Sequence, residues 1–191
     1  MYKRQEQYHK SKCCCISILT DKNFGGSLND INVAKKISNK PIIRKDFIIN
    51  EAQVFETKEF GADAILLIAK ILSKSEIRKL YQLANEIGLD VLIEIESILE
   101  AKKIRDIDAK LIGINNRNLK NLDVSINNTI SIFEVVKAHK GPLLSESGIK
   151  DENDAKYIYE KTGIKNFLIG ESLLKSDKPK ELMKKLIQIS Q

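Results

Sequence analysis

Tryptophan is absent from this chain of 191 residues, and the remaining aromatics are six Phe and five Tyr. So few rings offer no platform for stacking successive bases, which argues against a nucleic-acid partner. Cysteine occurs three times, but contiguously, as Cys13-Cys14-Cys15. That spacing suits neither a disulfide framework nor a zinc site, so the three read as small, buried strand residues of a protein kept reduced in the cytoplasm. Histidine is as scarce: His9 and His139 lie in lysine-rich stretches and read as exposed surface residues. No metal site is expected. Long apolar runs are missing too, since Cys13 to Leu19 and Ala64 to Ala69 stop well short of the ~20 residues that span a membrane. Residues Met1 to Lys12 contain no apolar stretch of the secretory kind, so export is not expected.

Charge, by contrast, is plentiful. Lys and Arg number 32 against 26 Asp and Glu, a formal net charge of +6. The lysines are scattered and sit near acidic residues, as on solvated helix faces, so the excess points to a small anionic ligand sooner than to a polyanion. Apolar residues make up 42%, enough in this length for one domain, residues 1–191, with its own core.

Short apolar segments recur at Cys13–Leu19, Pro41–Ile43, Ala64–Ile68, Val91–Ile95, Leu111–Ile114, Pro142–Leu144 and Asn166–Ile169. They lack strict polar alternation, which is how strands covered on both faces read. Between them lie helical patterns. Ile77, Leu80, Leu83, Ala84 and Ile87 share one face, with Ser73 or Ser75 able to cap the start and Gly88 the end. Asp151 and Pro179 are further helix-start signals. Strand and helix alternating throughout predict right-handed βαβ units and a parallel sheet. Neither a G-x-G-x-x-G turn nor a G-x-x-x-x-G-K-[ST] loop is present, which favours a (β/α)₈ TIM barrel over an open doubly wound sheet.

Barrel chemistry gathers at the carboxyl ends of strands. Lys45 stands at such an end, as a general acid or as a lysine paired with Asp46 at a helix start. Only one of Arg44 and Lys45 can face the mouth, because successive strand side chains point to opposite faces. Glu94 interrupts an apolar Leu-Ile-Glu-Ile run, either as a functional carboxylate or in an ion pair with Lys45. Asn115, Asn116 and Arg117 offer amide donors and a cation suited to carboxylate or phosphate, though Asn pairs also form plain turns. Ser147-Gly148 and Gly170-Glu171-Ser172 put small residues between strand and helix, where backbone N–H groups can approach an anion. Either could be a simple left-handed turn. Together, in the last two strand-to-helix turns, they favour a phosphorylated substrate.

In order along the chain stand ISILTD (Ile16–Asp21), GGSLNDI (Gly25–Ile31), IIRKDFII (Ile42–Ile49), GADAILLI (Gly61–Ile68), GLDVLIEI (Gly88–Ile95), IGINNRNL (Ile112–Leu119), SESGI (Ser145–Ile149) and LIGESLL (Leu168–Leu174). In sequence and spacing they resemble indole-3-glycerol phosphate synthase from about Ile16 to the C-terminus. The resemblance implies a phosphate-binding (β/α)₈ barrel of tryptophan biosynthesis, cytoplasmic and without a cofactor. It converts 1-(2-carboxyphenylamino)-1-deoxyribulose 5-phosphate to indole-3-glycerol phosphate with loss of CO₂ and water. The same resemblance implies that Lys45 is the general acid of ring closure, that Glu94 assists the later dehydration and that Asn115 orients the reacting hydroxyl. Phe47 would wall the anthranilate pocket, Arg117 would meet an anionic group, and Glu146 and Ser147 would line the substrate. The backbone at Ser147, Gly148, Gly170 and Glu171 would hold the phosphate.

Members of that family carry, ahead of the position matching Ile16, a helical extension and a first strand with E-I-K followed by an S-P-S loop. Neither motif occurs in this sequence. The resemblance therefore implies a barrel lacking the N-terminal extension and first strand in this chain, and little turnover by the chain alone. It also implies association with a separately supplied N-terminal segment or other tryptophan-pathway domains. The alternative is a remnant barrel that binds a phosphorylated metabolite without catalysis.

Overall fold

The apolar segments fold as strands because each is rich in Ile, Leu or Val and is bounded by turn residues that release the chain into a helix. The computed structural model describes residues 12–190, with the side chain of Ser190 excepted; His9 lies outside them. Among the described residues, seven strands alternate with eight helices. The sheet order follows the chain, β1 to β7. This is the βα alternation of the (β/α)₈-barrel class. The chain divides into two compact units, Met1–Ile93 and Glu94–Gln191.

The first unit holds β1 (Ile16–Leu19), α1 (Asn29–Ile37), β2 (Ile42–Lys45), α2 (Glu51–Glu59), β3 (Ala64–Ile68), α3 (Lys74–Glu86) and most of β4 (Asp90–Ile95). β1 and β2 run parallel with Ile16 opposite Ile42 and Leu19 opposite Lys45. Beyond them, Arg44 of β2 pairs with Ile65 of β3. Ile16, Ile18 and Ile42 pack on Ile31 and Ala34 of α1, a buried cluster that fixes the helix to the strands. α2 starts at a capping box, in which Asn50 accepts from the Gln53 amide and the Gln53 side chain accepts from the Asn50 amide. Ser73, rather than Ser75, caps α3 through a second box with Glu76.

Two expectations fail in this unit. Strand β1 begins at Ile16, so the cysteines are not buried strand residues: Cys13 is half-buried, and Cys14 and Cys15 are exposed. Pairing starts where the Ile16 N–H reaches the Pro41 carbonyl at 2.9 Å. Upstream of Pro41 the chain is still leaving α1, so β2 offers the cysteines no paired residue. Nor is β1 covered on both faces, for Ser17 and Leu19 are exposed while Ile16 and Ile18 are buried. β3, buried from Ile65 to Ile68, reads as expected.

The second unit holds α4 (Ile98–Lys103), β5 (Leu111–Asn115), α5 (Asn127–Val136), β6 (Leu143–Glu146), α6 (Glu152–Thr162), β7 (Asn166–Leu168), α7 (Glu171–Lys175) and α8 (Pro179–Ser190). β5 and β6 are parallel with Asn115 opposite Glu146, and β6 sets Glu146 opposite Leu168 of β7. Lys185 of α8 reaches Glu152 of α6 at 2.6 Å and ties the last helix down. His139 is half-buried rather than exposed. Gly141 runs so close to the Lys110 carbonyl and the imidazole that a Cβ there would overlap both. Desolvation pushes the pKa of His139 below the ordinary histidine value, although the Lys110 carbonyl and Asp108 act the other way.

Strand β2 runs two residues beyond its predicted end, β6 two and β5 one. Lys45, Asn115 and Glu146 are thereby the last residues of their strands, and Glu94 is the last but one of β4.

Candidate active site

In the first unit the end of β2 is organised by Arg44, which is 3% exposed. Its Nη2 donates to Asp46 Oδ2 at 2.9 Å, and its Nη1 to the Gln53 carbonyl at 2.9 Å and Thr57 Oγ1 at 3.1 Å. Thr20 Oγ1 adds a 2.6 Å bond to the same Asp46 oxygen. Burial by itself would raise the Asp46 pKa, but the Thr20 hydroxyl and the Arg44 guanidinium together hold it below the usual carboxylate value. Both Asp46 oxygens are engaged, since Oδ1 accepts from the Phe47 amide at 2.8 Å. Arg44 thus turns in against α2. Lys45, next along the strand, takes the opposite face and is half-buried.

Phe47 is held from behind, because Gln53 Nε2 donates to its carbonyl at 2.9 Å. Its ring stacks on Phe24, with centroids 6.3 Å apart and planes 28° from parallel. Both rings are partly exposed, Phe24 at 65% and Phe47 at 37%. Sequence reasoning missed Phe24, which falls between the strings ISILTD and GGSLNDI.

In the second unit β5, β6 and β7 lie side by side in parallel. Glu94, Asn115 and Glu146 are each at most 4% exposed. Asn115 Oδ1 accepts from the Arg117 amide at 2.9 Å, and its carbonyl accepts from Asn128 Nδ2 at 2.9 Å. Arg117 extends to Glu171 on α7, Nη2 to Oε2 at 2.6 Å. Lys175 meets the other Glu171 oxygen at 2.6 Å. The Lys175 ammonium, aided by Arg117, holds the Glu171 carboxyl below its ordinary pKa. Ser172 Oγ donates to the Ile149 carbonyl at 2.6 Å, joining the β7–α7 turn to the β6–α6 turn.

The two expected anion turns differ. Ser147 and Gly148 both have left-handed backbones, φ 65° and 75°. A Cβ at residue 148 would lie 2.5 Å from Val124 Cγ1, so glycine is required on both counts. The helix that follows is already capped: Asp151 accepts from the Asn153 and Asp154 amides. With that helix start occupied by Asp151, the amides of the turn itself are those of Ser147 and Gly148. At Gly170 the chain enters α7 directly, with no side-chain cap.

Solved structures of similar architecture include two enzymes named for phosphorylated sugars. The 3-hexulose-6-phosphate synthase of Salmonella typhimurium superposes with a TM-score of 0.76 at 15% identity, covering 92% of this chain and 85% of that one. The 3-keto-L-gulonate-6-phosphate decarboxylase of Vibrio cholerae gives 0.74 at 16%, covering 96% and 87%. Such likeness establishes the (β/α)₈-barrel class. Sequence similarity goes further. The model of the indole-3-glycerol phosphate synthase family matches residues 2–186. The synthase of Lachnospira eligens is 41% identical over 98% of this chain and 71% of its own length. That of Aquifex aeolicus is 39% identical over 94% and 70%. The chain belongs to the indole-3-glycerol phosphate synthase family, whose members are carboxy-lyases of tryptophan biosynthesis. The match begins at residue 2, ahead of the Ile16 from which the motifs were traced.

Proposed function

We propose that the chain closes the indole ring of indole-3-glycerol phosphate, and that its strand ends divide the work. The substrate's carboxyl-bearing ring carbon attacks the ribulose ketone, forming the new C–C bond. The Lys45 ammonium protonates the ketone oxygen as the electron pair arrives there. Loss of CO₂ restores the aromatic ring, and the former ketone oxygen leaves as water while Glu94 moves the proton of that dehydration. Asn115 orients the reacting hydroxyl. Phe47, with Phe24 stacked on it, walls the aromatic half of the substrate. Arg117 meets the substrate's carboxylate, Glu146 and Ser147 line the sugar chain, and the backbone at Ser147–Gly148 and Gly170–Glu171 receives the phosphate. The partner is thus a small phosphorylated metabolite in the cytoplasm.

The observation that carries this reading is the family match across nearly the whole chain, with Lys45, Asn115 and Glu146 each ending a strand. The test is product formation, followed by indole fluorescence, for the chain alone and joined to the N-terminal segment of a relative. A tryptophan auxotroph lacking ring closure gives an independent readout. Lys45→Ala should lower turnover about 10²- to 10⁴-fold. Lys40→Ala, whose ammonium donates to the Cys13 carbonyl at 2.7 Å, should not. Equal loss in the two variants refutes the assigned role.

A further inference from the structure

Beneath the β6–α6 turn lies a polar cluster that the ring-closing scheme does not use. Asn116, Thr129 and Ser145 are 2%, 0% and 0% exposed. Asn116 Oδ1 accepts from the Thr129 amide at 3.0 Å and from the Thr129 hydroxyl at 2.8 Å. Its Nδ2 donates to Ser145 Oγ at 3.0 Å and to the Ser147 carbonyl at 3.1 Å. The Thr129 and Ser145 hydroxyls lie 2.7 Å apart and close the ring of bonds. An amide side chain has two acceptor sites and two N–H donors, and all four are used here.

One of those bonds ends on a strained residue. Ser147 has φ 65°, a conformation that is costly for a non-glycine residue and persists only where its surroundings enforce it. The Asn116 amide pulls on the carbonyl of that same residue. The Asn116 backbone is fixed in turn: its amide donates to the Glu146 carbonyl at 2.8 Å, and its carbonyl accepts from the Ser125 amide at 3.0 Å. Asn116 therefore links the end of β5, the start of α5 and the end of β6, and it sets where the amides of Ser147 and Gly148 point.

We infer that Asn116 is a positioning residue for the anion turn at Ser147–Gly148, acting through the Ser147 carbonyl rather than by touching the ligand. This rests on the reading of that turn as a phosphate site, and the two ideas are separable by experiment. The probe is inorganic phosphate, titrated into the full chain while the amide resonances of Ser147 and Gly148 are followed by NMR, well below the unfolding temperature of every variant.

Asn116→Ala changes no charge and removes both donations. It should weaken phosphate binding about tenfold, the equivalent of one buried hydrogen bond, and shift the free-state resonances of Ser147 and Gly148. Thr129→Ala leaves the bond to Ser147 in place, so it should lose stability to a similar degree yet cost less than about threefold in affinity. Should Asn116→Ala fail to fold, Asn116→Ser, which keeps a hydroxyl in the cluster but is too short to reach the Ser147 carbonyl, must weaken phosphate more than Thr129→Ala does. Equal affinities for Asn116→Ala and the parent overturn the inference, as does a loss that only follows stability across the variants. If phosphate moves neither amide in the parent chain, the phosphate reading of the turn fails, and the inference with it.

Discussion

At the end of β2 a buried guanidinium holds the backbone, whereas at the ends of β5 and β6 the same task falls to an amide and two hydroxyls. Arg44 gathers Asp46, Thr20, Thr57 and the Gln53 carbonyl around one charge. Asn116 gathers Thr129, Ser145 and the Ser147 carbonyl with no charge at all. In both regions the anchoring residue is the sequence neighbour of a candidate catalytic one, Lys45 or Asn115. Alternation along a strand, continued one residue past it, lets one side chain carry the architecture and the next the chemistry. The difference lies in what failure costs. A buried ion pair that loses one partner leaves an uncompensated charge, whereas a neutral network leaves only unsatisfied dipoles.

The comparison breaks most visibly at Arg44. Arg44→Leu strands the Asp46 carboxylate and should lower stability by about 3–5 kcal/mol in urea unfolding. A loss no greater than that of Asn116→Ala would remove the distinction between the two regions.

Acid titration sharpens it with a smaller effect. The folded-state pKa of Asp46 is depressed, so its pairing contributes fully above the ordinary carboxylate value of about 3.9 and is lost as pH falls through the lower folded value. Asp46→Asn should therefore flatten the acid limb of the stability curve below about pH 4. Asn116→Ala, in a network with no titrating group, should keep the parent's limb. Identical limbs in the parent and Asp46→Asn would show that the carboxylate contributes nothing to acid stability.

The smallest effect belongs to Glu171→Gln. Its pairs with Arg117 and Lys175 are exposed, and exposed pairs are weak and screened by salt. The urea midpoint should barely move, and the residual difference should vanish at high salt. A midpoint shift that rivals Arg44→Leu would make this surface clasp a structural element.

Much of this was legible from the chain. Runs of Ile, Leu and Val located all seven strands, and Ser73, Asp151 and Pro179 marked helix starts correctly. The motif strings named the residues that end β2, β5 and β6. Three other matters were not legible. Cys13 to Leu19 has the composition of a strand throughout, but pairing requires a neighbour, and β2 begins only at Ile42. His139 sits among lysines in sequence and beside Gly141 and the Lys110 backbone in space. Thr129 carries no local signal, since its partners are 13 and 16 residues away.

The sequence by itself determined the alternation of strand and helix, the family and the set of polar residues placed at strand ends, because each depends on local periodicity or on strings of adjacent residues. Only the tertiary structure decided which of two neighbours turns inward. Arg44 rather than Lys45 enters the buried network because α2 presents a carbonyl and a hydroxyl there. Asn116 completes its network because α5 and β6 bring Thr129 and Ser145 within reach. A side chain's period says that it alternates, but where its hydrogen bonds end depends on elements packed from elsewhere in the chain.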